Sequence, residues 1–147
     1  MIAIREYKSL DEDFIYHSWL ASVDHSVPGV KKITRRIIDR CVKSRTVLIA
    51  CEEKDQDHIL GWIAYGDDFN FPVLHYVFVK KNLRRNGVGT RLLRAAIPQT
   101  STTEPTLASF WSFWCQRFDL KRKWNIKFNS LLLPVLVDMS YGETEDK

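Results

Sequence analysis

Paired cysteines, a membrane-length apolar run and a known glycine-rich phosphate loop are all missing from this sequence. It holds three cysteines among 147 residues, Cys41, Cys51 and Cys115. They are widely spaced and odd in number. No Cys-x-x-Cys pair or Cys/His cluster is present, so neither a disulfide framework nor a zinc site is supported. Buried thiols in a reducing compartment are expected. The longest apolar run, Leu131–Val137, is interrupted by Pro134 and falls far short of the ~20 residues that span a bilayer. Met1–Tyr7 lacks the basic-then-apolar order of a signal peptide. A cytoplasmic protein with no membrane partner is therefore expected. Glycines number only six. Gly-x-x-x-x-Gly-Lys-Ser/Thr does not occur, and Leu92 stands where a Gly-x-Gly-x-x-Gly run starting at Gly87 would need its third glycine. No internal repeat or low-complexity block divides the chain, so one domain over residues 1–147 is expected.

What is present is an ordinary globular composition, with 45% hydrophobic and 27% charged residues. Five Trp and eight Phe supply ample core material and argue against disorder. The net charge of +4 permits anionic partners, whether a phosphorylated cofactor, an acidic protein or RNA. It is modest and spread along the chain, so it leaves nucleic acid open as a partner without favouring it.

Hydrophobic spacing predicts the elements. Ile2 and Ile4 suit a short first strand. Ser9 to Glu12 reads as a capping box, with Ser9 as N-cap and Glu12 reaching back. Phe14, Ile15, Trp19, Leu20 and Val23 follow at helical spacing, and Pro28-Gly29 ends that pattern. A second helix over Lys31–Lys43 aligns Ile33, Ile37, Ile38, Cys41 and Val42. Thr46–Cys51 reads as a buried strand. The charged stretch Glu52–His58 reads as a surface hairpin connection. Ile59–Tyr65 and Val73–Val79 are strands, with turns around Gly66 to Pro72. A helix is expected over Val88–Ile97, with Leu92, Leu93 and Ala96 inward. Pro98–Pro105 reads as a loop. Thr106–Phe113 then suits a strand, Trp114–Lys123 a short basic helix, and Ile126–Val137 one or two last strands. This order is an α/β pattern with consecutive strands in its middle, unlike the regular alternation of a doubly wound nucleotide fold.

The segment that carries chemistry runs from Val77-Phe78-Val79 to Arg84-Arg85-Asn86-Gly87-Val88-Gly89-Thr90. A glycine-containing turn opening a helix leaves several backbone N–H groups without intrahelical partners. Those donors and the helix dipole suit a pyrophosphate. Gly87 and Gly89 lack Cβ, which allows close approach, and Arg84 and Arg85 add positive charge.

Arg84, Gly87 and Gly89 match the Arg/Gln-x-x-Gly-x-Gly/Ala signature of GNAT acetyltransferases. The strand ending five residues before Arg84, and Leu92-Leu93 after it, strengthen the resemblance over Val73–Ala96. Phe14–Leu20 also looks like small acetyltransferase-like proteins of bacteriophages, which would place this one in a host cytoplasm. The resemblance implies a mixed, mostly antiparallel central sheet flanked by helices. It implies acetyl-CoA as cofactor, with Val77, Phe78 and Val79 lining the pantetheine arm through backbone. Arg84, Arg85, Asn86, Gly87, Val88, Gly89 and Thr90 would hold the pyrophosphate.

Acetyl transfer to an amine needs a neutral amine and a proton source for the departing thiolate. Members of the family often carry a base on the strand before the signature. His75 occupies that stretch, and an imidazole titrates near neutrality; a histidine satisfied in the sheet or on its surface is the alternative. In a regular strand His75 and its neighbour Tyr76 point to opposite faces, so Tyr76 is the rival catalytic residue. Many family members place a tyrosine acid on a later helix. No Tyr lies between Thr106 and Ser140, which leaves Tyr76, Tyr65, Cys115 or solvent as proton source. His17, His25 and His58 form no recognisable metal set. Asp24 and Asp67-Asp68 could attract a cationic amine, although solvated turns explain them equally well.

Three functions follow from the resemblance. The first is an acetyl-CoA-dependent N-acetyltransferase that transfers acetyl to an unidentified amine, small molecule or protein, by direct attack in a ternary complex. The second is a catalytically silent binding module that docks to a cellular or host protein. The third is an RNA-directed enzyme acting on aminoacyl-tRNA, motivated by the basic second helix and the Lys121-Arg122-Lys123 run. A homodimer paired through an exposed edge in the C-terminal third is also open.

Overall fold

A computed structural model of the chain describes residues 1–21, 28–66, 73–84, 86–96, 106–108 and 126–128. Strand β1 (Ile2–Glu6) leads through a 3-10 turn (Ser9–Asp11) into α1 (Glu12–Leu20), and α2 (Val30–Lys43) follows. Three strands come next, β2 (Val47–Glu52), β3 (Asp55–Gly66) and β4 (Val73–Val79). A second 3-10 turn (Lys81–Leu83) precedes α3 (Val88–Ala96). The short strands β5 (Thr106–Ala108) and β6 (Ile126–Phe128) complete a six-stranded sheet ordered β1-β2-β3-β4-β5-β6. Strands β1 to β4 are antiparallel neighbours. Pairings β4–β5 and β5–β6 are parallel. The result is the mixed, mostly antiparallel α/β sheet that the resemblance implies.

Alternation along the strands divides the core between two sheet faces. One face sends Ile49, Cys51, Trp62, Ala64 and Tyr76 against Ile15 and Trp19 of α1 and Ile37, Ile38 and Cys41 of α2. The other sends Ala50, Ile63, Leu74 and Val79 against Val88, Leu92, Leu93 and Ala96 of α3. Leu92 is wholly buried, and a buried leucine contributes roughly 1.5–3 kcal/mol. The predicted Ile37, Ile38 and Cys41 of α2 and Leu92, Leu93 and Ala96 of α3 are buried, and Thr34 and Val88 are buried with them. Cys41 and Cys51 are buried free thiols, as expected. Among the described residues, no helix is long and apolar enough to cross a membrane.

Two local expectations are corrected. The acidic side chain that reaches back is Asp11, not Glu12, and it caps the 3-10 turn that leads into α1. Its carboxylate accepts the Lys8 N–H at 2.8 Å and both Arg5 Nη atoms at 2.7 and 2.8 Å. That Arg5 clamp moves the cap one residue earlier, with Lys8 rather than Ser9 as N-cap. The charged stretch Glu52–His58 is mostly strand, with Glu52 paired to Asp55 across a tight turn. Its side chains are exposed there, so charge does not oppose strand pairing. The expected helix Trp114–Lys123, most of the flanking strands and any C-terminal dimer edge lie outside the described residues.

Candidate active site

Strand β4 is the axis of the site. On one side it pairs with β3 from Val73 to Val79. On the other, among the described residues, it pairs with β5 only through Val73↔Leu107 and Leu74↔Ala108. The two strands run parallel and meet at the start of β4. Val77–Val79 lie at the other end of β4, from which the chain proceeds to α3.

The β3–β4 register slips between Ala64 and Tyr65. Ala64 faces Tyr76 and Tyr65 faces Leu74, so His75 is the extra residue of a β-bulge. Leu74 and Val77, three apart, consequently share the α3 side. The argument that His75 and Tyr76 must face opposite ways assumes a regular strand, and the bulge removes that assumption. A second device acts at the far end of the same β3–β4 pairing. A Cβ on Gly61 would collide with the Phe78 carbonyl oxygen and lie 3.3 Å from Val88 Cγ1. A lone glycine inside a strand signals such close approach of two backbones, and Gly61 was the available signal in the sequence.

His75 is 2% exposed and Tyr76 is 8% exposed. The Tyr76 ring stacks on Trp19 at 5.2 Å and lies 5.1 Å from Trp62. The Trp62 indole N–H donates to Ser18 Oγ at 2.8 Å, which holds β3 against α1. Phe14 meets Phe78 edge-on at 5.9 Å. These aromatic contacts anchor α1 along β4, and periodicity alone does not reveal them. Tyr65 packs on the α3 side, the sheet face opposite Tyr76.

Beyond Val79 the chain turns with Leu83 N–H bonded to the Lys80 carbonyl at 2.9 Å. The Arg84 Nε–H donates to the Val79 carbonyl at 3.1 Å. Gly87 has φ +84°, a conformation open to glycine at little cost. Its carbonyl accepts the Arg91 N–H at 3.1 Å, so the helix begins at Val88. Val88, Gly89 and Thr90 then occupy the first turn, where N–H groups have no acceptor within the helix. Asn86 and Gly87 are exposed, and Arg84, Gly89 and Thr90 are half-buried. A Cβ on Gly89 would sit 3.6 Å from Val79 Cγ2, an ordinary contact. Nothing inside the fold demands glycine there, whereas a group approaching from outside would.

Arg85, Asp24, His25, Asp67, Asp68 and Cys115 lie outside the described residues, as do Lys121, Arg122 and Lys123. His17 is exposed. His58 Nδ1 lies 2.9 Å from Glu52 Oε2 on the β2–β3 hairpin, away from β4. Among the described residues no group of three metal-ligating side chains converges.

The family model for the acetyltransferase (GNAT) family matches residues 10–103, which is more than half of the chain. The chain belongs to the GNAT family. Solved structures agree on the fold. A GCN5-related N-acetyltransferase from Sphaerobacter thermophilus superposes with a TM-score of 0.51 at 21% identity, covering 65% of this chain and 30% of that one. PH1933 from Pyrococcus horikoshii gives 0.50 at 21% identity, covering 65% and 69%. A GNAT acetyltransferase from Bacillus cereus is 24% identical with a TM-score of 0.47, covering 65% of this chain and 61% of that one. This GNAT chain thus spans less than two thirds of several of the structures it resembles. No curated protein matches it.

Proposed function

We propose that the protein is an acetyl-CoA-dependent N-acetyltransferase that transfers acetyl to an amine by direct attack in a ternary complex. The observation that carries this reading is the glycine turn after β4, with Gly87 at φ +84° at the start of α3. The β5-facing backbone of Val77, Phe78 and Val79 would pair with the pantetheine arm. The first-turn N–H groups of α3 would take the pyrophosphate, beside Arg84 and Arg85. Gly89 fits that role, because its missing side chain serves no internal packing. When bound, the cofactor supplies an acetyl thioester.

The chain's own residues would then manage geometry and protons. The β4 bulge sets His75 apart from the β3–β4 ladder. His75 would accept the proton of the incoming ammonium, leaving the amine neutral for attack. Tyr76 is the alternative proton carrier, although its ring is held in the Trp19–Trp62 stack. The acceptor remains an amine of unassigned identity.

Isothermal titration with acetyl-CoA tests the cofactor assignment. Binding by the intact protein, weakened by Gly89→Arg, is the expected result. No binding at millimolar cofactor would overturn it. The deep burial of His75 and Tyr76 favours one rival, a GNAT-fold module that binds without transferring. Release of free CoA thiol with any member of an amine, peptide or protein panel excludes that rival.

A further inference from the structure

Helix α2 carries six cations, Lys31, Lys32, Arg35, Arg36, Arg40 and Lys43, against the single carboxylate of Asp39. That excess is larger than the +4 of the whole chain. Lys31, Lys32, Arg35 and Lys43 are exposed, while Thr34, Ile37, Ile38 and Cys41 are buried beneath them. Asp39 accepts the hydroxyl proton of Tyr16 on α1, and the Arg35 guanidinium lies 5.0 Å over the Tyr16 ring.

The placement opposes the helix's own electrostatics. The N-terminal turn of α2 has no acidic residue and no side-chain cap, yet it holds Lys31 and Lys32. Cations there face the positive end of the helix dipole. By contrast, α1 opens with Glu12 and Asp13. A local conflict of this kind is characteristic of functional surfaces.

We infer that the exposed face of α2 is a docking surface for a nucleic-acid phosphate backbone, independent of the acetyl-CoA assignment. At 1.5 Å per residue, Lys31 to Lys43 extends about 18 Å, a linear array suited to a polymer of repeating charge. Apolar side chains are missing from the array. Large exposed hydrophobics among the described residues are Met1 and Leu10, neither on α2. Insertion into a membrane surface needs an apolar face beside the cations. Protein interfaces draw most of their energy from buried aromatic or apolar anchors. A phosphodiester chain needs neither, because counterion release alone drives binding.

Fluorescence anisotropy with a short single-stranded RNA and with a short DNA duplex tests the surface. Four exposed cations predict a slope of about −3 in log K against log salt. Lys32→Glu/Lys43→Glu should weaken binding roughly 10-fold or more and flatten the slope to about −1. The neutral pair Lys32→Gln/Lys43→Gln should give an intermediate loss, and serves if the reversal disturbs folding. Lys54→Glu/Arg94→Glu removes the same charge from exposed sites elsewhere and should change affinity far less. Binding of RNA alone, of duplex alone or of both supports the proposal and identifies the source of the phosphates. Failure of both probes to bind at about 50 mM salt overturns it. So does an equal loss in the Lys54/Arg94 control, or tighter α2-dependent binding to polyglutamate or phosphatidylserine vesicles. Acetyl-CoA titration of each variant should match the unmodified protein, which keeps failure of this surface separate from failure of the cofactor assignment.

Discussion

The Arg84 Nε–H donates to the Val79 carbonyl at 3.1 Å. The first residue of the signature turn thus holds the last carbonyl of β4, and it couples the end of β4 to the start of α3. Arg84→Ala should lower stability by about 1 kcal/mol, the usual worth of such a bond. It should also weaken acetyl-CoA binding. Chemical denaturation and calorimetric titration measure the two effects; unchanged cofactor affinity would remove Arg84 from the site.

Gly87 and Gly89 should respond differently. Gly87→Ala forces a non-glycine residue to φ +84° and should cost about 1–2 kcal/mol of stability. Gly89→Ala meets only an ordinary contact at 3.6 Å, so stability should hardly move while acetyl-CoA affinity falls. Equal stability losses in the two variants would contradict the distinct roles given to these glycines.

Gly61→Ala tests how tightly β3 is drawn against β4. The new methyl would strike the Phe78 carbonyl oxygen, and the strands must separate or bend. A loss of about 1–3 kcal/mol is expected, as for overpacked cores. Because Phe78 lies in the proposed pantetheine wall, cofactor affinity should fall as well. A variant as stable as the parent would show that the sheet yields there.

His75→Ala should lower the transfer rate at neutral pH by roughly 10²-fold or more, with little change in acetyl-CoA affinity. Higher pH should partly restore the rate, since more of the acceptor amine is then already neutral. The measurement is rate against pH, with folding checked by thermal melting because His75 is buried. If His75→Ala leaves the rate unchanged and Tyr76→Phe abolishes it, the role belongs to Tyr76.

The Arg5–Asp11 pair predicts an acid-sensitive contribution to stability. Burial by itself would push the Asp11 carboxyl up; the Arg5 and Lys8 hydrogen bonds outweigh it, and the net displacement is downward. A carboxyl depressed on folding stabilises fully above its unfolded value of about 3.9 and loses that contribution as pH falls through its folded value. Asp11→Asn should therefore lower stability near neutrality by about 1.5–3 kcal/mol, the usual worth of hydrogen bonds to a charged group. The gap between variant and parent should close in acid. Urea melts over a pH series check this, and a gap independent of pH would refute the linkage.

Much of the architecture was legible in the sequence. Repeats of apolar residues placed β4 over Val73–Val79 and the inward side of α3 at Leu92, Leu93 and Ala96. They also aligned Ile37, Ile38 and Cys41 on α2. Each depends on spacing within one segment, which burial on a single face imposes directly. The signature Arg84-x-x-Gly87-x-Gly89 was legible for the same reason, since a positive φ and a helix start are local demands. Tertiary structure decided the rest. The bulge at His75, the close approach of Gly61 to the Phe78 carbonyl and the opposite faces of Tyr65 and Tyr76 are relations between separate strands. Register is set by how two pleated surfaces pack, and no single segment carries that information. The Arg5 clamp that moved the cap to Lys8 is likewise a contact made only when β1 and the turn before α1 come together.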